Sequence, residues 1–142
     1  MPGRTEADIV AGLLDVCRDA ARGFRLAADL VSDRELKRIF SDAARRRDLF
    51  AAELLLFAHS GGEGTITAVI HRGWMNMKDT LTAHDDGAVL TEAIRGEEAA
   101  ADAYHGALAS MLPPKSRPII QRHLDEIRGL LEDLKVLALP CM

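Results

Sequence analysis

Cysteine is scarce in this chain: 142 residues carry only two, Cys17 and Cys141. Two thiols cannot build the disulfide framework of a small secreted domain. One falls mid-helix in the pattern below and the other near the C-terminal tip, so no pairing between them is expected. Long apolar runs are also missing. Nothing approaches the roughly 20 residues of a transmembrane helix, and no membrane partner is expected. The opening stretch MPGRTEADIV lacks the apolar core of a signal peptide, which makes the cytoplasm the expected location. Clustered positive charge is absent. The 18 lysines and arginines are interspersed among 22 acids, for a net charge of −4. A nucleic-acid footprint needs basic residues gathered on one face, so no nucleic-acid partner is expected. There is no glycine-rich phosphate loop and no nucleophile elbow. No stretch alternates in the manner of a strand. No repeat, low-complexity tract or linker divides residues 1–142, so one domain is expected.

What the chain does have is helical periodicity, with 48% hydrophobic and 28% charged residues. Thr5, with Asp8 three residues on, offers a capping box. Apolar residues then recur in steps of three and four at Ile9, Leu13, Val16, Ala20, Phe24, Ala27 and Val31. A second start lies at Ser32 and Glu35, with Val31 able to staple onto Leu36. That helix runs through Leu36, Phe40, Ala43, Phe50, Leu54 and Phe57 until the glycines of SGGEGT stop it. A shorter helix, TITAVIHRGWMNMKDTL, follows. Either aspartate of AHDDG can cap the next helix, which carries Val89, Ala93, Ala100, Tyr104, Ala107 and Met111. The turn LPPKSRP places prolines near a helix start, where they are tolerated. The last helix carries Ile120, Leu124, Ile127, Leu131, Leu134 and Ala138, and Pro140 ends it.

Four of these helices are about 24 residues long, roughly 36 Å at the α-helical rise. The first two are tightly joined, as are the last two, so each pair is an antiparallel hairpin. A short helix between the second and third long helices can carry the chain back along the bundle. The expected fold is therefore all-α: a ferritin-like four-helix bundle with an extra crossover helix. A simple five-helix bundle is the alternative.

The segments GFRLAADLVSDRELKRIF, FAAEL, HRGWMNMKDTLTAHDDGAVL, RGEEAAADAYHGAL and LPP resemble a bacterial family of ferritin-like four-helix-bundle proteins of unknown function. HRGW and RGE are the most specific of them. The resemblance implies the bundle and its crossover helix and supplies no activity.

One polar site interrupts the periodicity. Arg47 follows Ala43 by four and precedes Phe50 by three, which puts a permanent cation inside the apolar stripe of the second helix. Glu97 repeats the oddity with opposite sign, four after Ala93 and three before Ala100. Asp19 lies at the wet–dry border of the first helix. His123 and Glu126 lie at the stripe edge of the last. Arg47, Glu97 and Asp19 each fall near mid-helix, so side-by-side packing brings them to one level. A lone buried charge costs several kcal/mol. The expectation is a buried Arg47–Glu97 pair, with Asp19, Tyr104 or His123 completing its hydrogen bonds.

Ferritin-like enzymes hold two metals at that level, with a Glu from each of two helices and Glu-x-x-His from each of the others. No Glu-x-x-His occurs on the last three long helices; His123 and Glu126 have the reverse order. Arg47 would also set a cation against a divalent ion. The primary expectation is a polar core without cofactor. Iron or another divalent metal held by Asp19, Glu53, Glu97, His123 and Glu126 is the alternative. His71, Arg72 and Trp74 are read as structural residues of the crossover helix, as are His59, His84 and His105 at ends and outer faces. Cys17 is read as a small core residue. Leu49, Leu55 and Leu56 exceed what one stripe needs and must meet the crossover helix, another subunit or a partner. With no complete catalytic set, the functional expectation is a non-catalytic bundle acting as a homo-oligomer or through a protein partner. The alternative is a ferritin-like iron-binding protein or oxidase.

Overall fold

The computed structural model describes residues 5–58 and 85–139. The segment TITAVIHRGWMNMKDTL, with His71, Arg72 and Trp74, lies outside them, as do His59, His84, Pro140 and Cys141. The described residues form four α-helices and no strand: α1 (Glu6–Leu30), α2 (Arg34–Leu55), α3 (Asp86–Leu108) and α4 (Arg117–Leu137). None is long and apolar enough to cross a membrane.

The helix starts follow from short polar side chains. Thr5 and Asp8 form a reciprocal capping box on α1, which satisfies two backbone donors that the first turn leaves open. The cap of α2 is Asp33, whose carboxylate accepts the Leu36 N–H, rather than Ser32. The reason lies on α3. The Asp86 carboxylate accepts the N–H groups of Ser32 and Asp33, at 2.8 and 3.0 Å, and fixes this corner so that Asp33 occupies the capping position. Asp85 caps α3 through the Gly87 and Ala88 N–H groups. Ser116 begins α4 without a side-chain cap bond, and Pro118 sits in the first turn.

The buried residues reproduce the 3.6-residue period of the sequence along α1, α2, α3 and α4. Past the helix ends the period fades, and Phe57 is only half-buried. Met111 is 95% exposed because α3 ends at Leu108, and Ala138 is exposed because α4 ends at Leu137. The burial on α1 is wider than one stripe and includes Val10, Leu14, Cys17 and Ala21, because α1 packs on both α2 and α3.

The core falls into two clusters. One joins the first half of α1 to Phe50 and Leu54, Ala100 to Ala107, and Ile120 to Ile127. The other joins the second half of α1 to Leu36 through Ala44, Val89 through Ala93, and Leu134. Chain order across these clusters fixes the directions. Helices α2 and α3 run the same way, and α1 and α4 run opposite to both. The end of α2 and the start of α3 therefore lie at opposite ends of the bundle. Phe24, Phe40 and Phe50 are fully buried, and truncating any one to alanine would cost about 3–5 kcal/mol.

Candidate functional site: a buried polar layer across four helices

The divide between the two clusters passes Asp19 on α1, Arg47 on α2 and Glu97 on α3, all of them buried. Arg47 meets Glu97 end-on in a two-bond fork: Nη1 donates to Oε1 at 2.7 Å, and Nη2 donates to Oε2. The guanidinium also lies between two aromatic faces, with its central carbon 5.5 Å from the Phe24 ring centre and 5.3 Å from that of Phe50. A carboxylate and two ring quadrupoles together offset the loss of water. Burial works to lower the Arg47 pKa, but the charge and hydrogen bonds of Glu97 outweigh it and leave it raised. Arg47 is thus a fixed cation. Asp19 is buried with Arg22 3.6 Å away.

A second chain of contacts crosses the same region. Cys17 Sγ lies 3.1 Å from the Tyr104 oxygen. That oxygen is 2.8 Å from His123 Nδ1, and His123 Nε2 is 2.7 Å from Glu53 Oε1. Glu53 also accepts from Arg122. One residue comes from α1, one from α3 and one from α2, with His123 and Arg122 from α4. Tyr104 therefore bonds to His123, rather than to Glu97 as the sequence reading allowed. The fixed level of His123 in the cluster of Ile120 to Ile127 brings the ring to Tyr104.

The direction of each bond follows from the chemistry of the partners. Burial pushes the Glu53 carboxyl up, but hydrogen bonds from His123 and Arg122 outweigh it and leave its pKa lowered. It is an ionised acceptor near neutral pH, so His123 Nε2 carries the proton. Burial lowers the His123 pKa, against the opposing pull of Glu53; the ring is neutral and Nδ1 presents a lone pair. Tyr104 then donates to Nδ1, and the Cys17 thiol donates to the Tyr104 oxygen. Burial raises Cys17 to about 11 despite the Tyr104 hydrogen bond, and burial lifts Tyr104 well above the usual phenol value.

Hydroxyl, imidazole and carboxylate stand here in the order of a nucleophilic triad. The chemistry differs. Tyr104 and His123 are fully buried, and the phenol is harder to ionise than usual. No reacting carbon could approach either group, so the arrangement holds neutral protons in place instead of activating a nucleophile.

The five alternative metal ligands do not assemble. Both oxygens of Glu97 are taken by Arg47. Glu53 is shared by His123 and Arg122. Glu126 accepts a fork from Arg46 at 2.8 Å, and Asp19 lies beside Arg22. Among the described residues no three His, Cys, Asp or Glu side chains converge as a ligand set. The donors among the described residues do not fit a two-metal centre, and the fixed cation of Arg47 adds repulsion.

Three features escape a reading of the sequence. Phe50 lies parallel to His123, with ring centres 3.9 Å apart. Glu92 is buried on α3 beside Arg95, at 3.4 Å. Cys17 is a hydrogen-bonded member of the layer and more than a space-filler. Only the Glu92 position, beside the stripe residue Ala93, carries a signal in the sequence. His105 is exposed, with Arg128 at 3.3 Å from Nδ1.

No curated protein and no solved structure matches the chain significantly. Residues 6–110 match the family described as Domain of unknown function (DUF2383), and the chain belongs to that family.

Proposed function

We propose that the protein is a non-catalytic bundle of ferritin-like topology that works by self-association, its centre closed by the Arg47–Glu97 pair where relatives of that topology hold metal. The parallel run of α2 and α3 supports the topology, since one long crossover between them produces that order.

The observation that carries the reading is a second apolar stripe that runs along α2 to its C-cap, Leu56. Leu49 and Leu56 are 48% and 77% exposed, and Ala52 between them is also exposed. Steps of three and four repeat the spacing of a two-helix seam. Leu55, 51% exposed, flanks it. The occupant we assign is a second copy of the chain, with α2 crossing its own equivalent about a twofold axis, because such a contact needs only one self-complementary stripe.

Sedimentation velocity on the full chain tests this. A dimer that becomes monomeric in Leu49→Asp/Leu56→Asp, with helical signal unchanged, is the expected result. A monomeric parent protein, or a dimer indifferent to those changes, would overturn it. Metal analysis of protein purified without chelator tests the closed centre: iron, manganese and zinc well below one per chain are expected, and melting unshifted by added metal.

A further inference from the structure

We propose that Tyr104 is a buried one-electron donor to small radical oxidants, with His123 receiving the phenol proton as the electron leaves. The chain has a single tyrosine. It is fully buried, and its oxygen is held from two sides, by His123 Nδ1 at 2.8 Å and Cys17 Sγ at 3.1 Å. Burial bars a reacting carbon from this group. It does not bar an electron, which needs proximity and no contact. Two hydrogen bonds join the phenol to Glu53, whose side chain is 34% exposed.

The surroundings favour electron and proton leaving together. Oxidation ahead of proton loss would strand a cationic phenol in the core, and proton loss ahead of oxidation would strand a phenolate. Either buried charge is costly. Transfer along the existing hydrogen bond avoids both. The electron passes to the oxidant, such as a peroxyl radical, which becomes its anion. The O–H bond of Tyr104 breaks, an N–H bond forms at His123 Nδ1, and Tyr104 is left as a neutral phenoxyl radical. The new imidazolium has Glu53 Oε1 2.7 Å from its other nitrogen, so its charge appears inside an ion pair. Glu53 on α2 and Glu126 on α4 favour that charge, and Arg122 on α4 opposes it. The imidazole is already held flat against Phe50, with ring centres 3.9 Å apart, so the acceptor needs no reorientation. The Cys17 thiol goes on donating to the phenoxyl oxygen. Electron donation is independent of the α2 stripe, and Leu49→Asp/Leu56→Asp should leave it intact.

Laser flash photolysis of the full chain tests this, with photogenerated ruthenium(III) tris-bipyridine as the oxidant. A phenoxyl absorption should rise as the oxidant decays and be absent in Tyr104→Phe; the single tryptophan, Trp74, is told apart by its own radical band. Because the proton acceptor is built in, the rate of rise should be indifferent to phosphate concentration, whereas the same chain unfolded in urea should react faster as buffer base is added. The rise should slow in D2O. His123→Gln can accept the hydrogen bond but cannot take the proton, and should slow the rise about tenfold or more with unchanged helical signal. If that variant does not fold, the buffer and isotope readings on the parent decide. A folded parent that gives no phenoxyl would overturn the proposal. So would a rate that climbs with buffer, one equal in H2O and D2O, or one untouched in a folded His123→Gln.

Discussion

The imidazole of His123 lies flat against the ring of Phe50, with planes 5° from parallel, while both of its nitrogens are engaged, by Tyr104 and Glu53. A ring held on its face and both edges has one orientation and one favoured tautomer. Protonation would turn Nδ1 from acceptor to donor. Tyr104 would then have to donate toward Cys17, and the thiol would lose its acceptor.

Acid should therefore weaken the fold in two stages. The folded His123 pKa is lowered, while the unfolded ring titrates near its ordinary value of about 6.5. The unfolded state binds more protons below that value, so the His123 contribution is complete above about pH 6.5 and is lost as pH falls through the folded value. Glu53, also lowered, adds a loss at more acid pH, below its ordinary value of about 4.3. Urea midpoints measured from pH 7.5 down to 4 should fall, and His123→Gln should flatten the upper part of the curve. A parent curve level from pH 7.5 to 5 would contradict this.

Breaking the central pair from one side should be worse than removing it altogether. Arg47→Met or Glu97→Leu alone strands a buried charge and should cost about 3–5 kcal/mol. The double variant should recover most of that loss. Guanidinium unfolding of the three variants gives the coupling directly, and additive losses would show that the pair is not the reason both residues are held there.

Cys17 should be inert in the folded protein. Its thiolate is suppressed by a pKa near 11 and its side chain is fully buried, and thiol reagents need both thiolate and access. In a Cys141→Ala background, labelling by an aromatic disulfide should proceed only at the unfolding rate. Fast labelling in native buffer would mean that the α1–α3 seam opens locally.

The two aspartates that begin α3 should be separable. Asp85→Ala removes a helix cap and should cost about 1 kcal/mol. Asp86→Ala leaves the cap in place and frees the Ser32 and Asp33 N–H groups. Amide exchange at residues 32 and 33 should accelerate in Asp86→Ala and stay unchanged in Asp85→Ala.

Local periodicity makes the helices legible. Val16, Phe24, Phe40 and Ile127 sit at stripe positions and are buried, because a helix must turn one face inward wherever it packs. Asp33 as the cap of α2 is not legible. Ser32 and Asp33 are both competent, and the choice is settled by a carboxylate more than fifty residues away. Arg47 and Glu97 stand out because a charge breaks an apolar stripe on its own helix. The hydrogen bond between Tyr104 and His123 does not, because it depends on which helices are neighbours and on how far each slides along the other. Glu53, half-buried, enters the sequence reading only as an alternative metal ligand; its hydrogen bond to His123 shows only in the packed structure.

The Asp86 contact with the corner between α1 and α2 also bears on the order of assembly. Those two amides belong to the first hairpin, yet their acceptor arrives with the third helix, across a separation of 53 and 54 residues. Closing so long a loop carries an entropic cost that the early hairpin alone does not meet. The opening pair of helices can thus form first with these two amides bonded to water, and the Asp86 carboxylate replaces that water, at a corner that stays exposed, only when the later half of the chain docks.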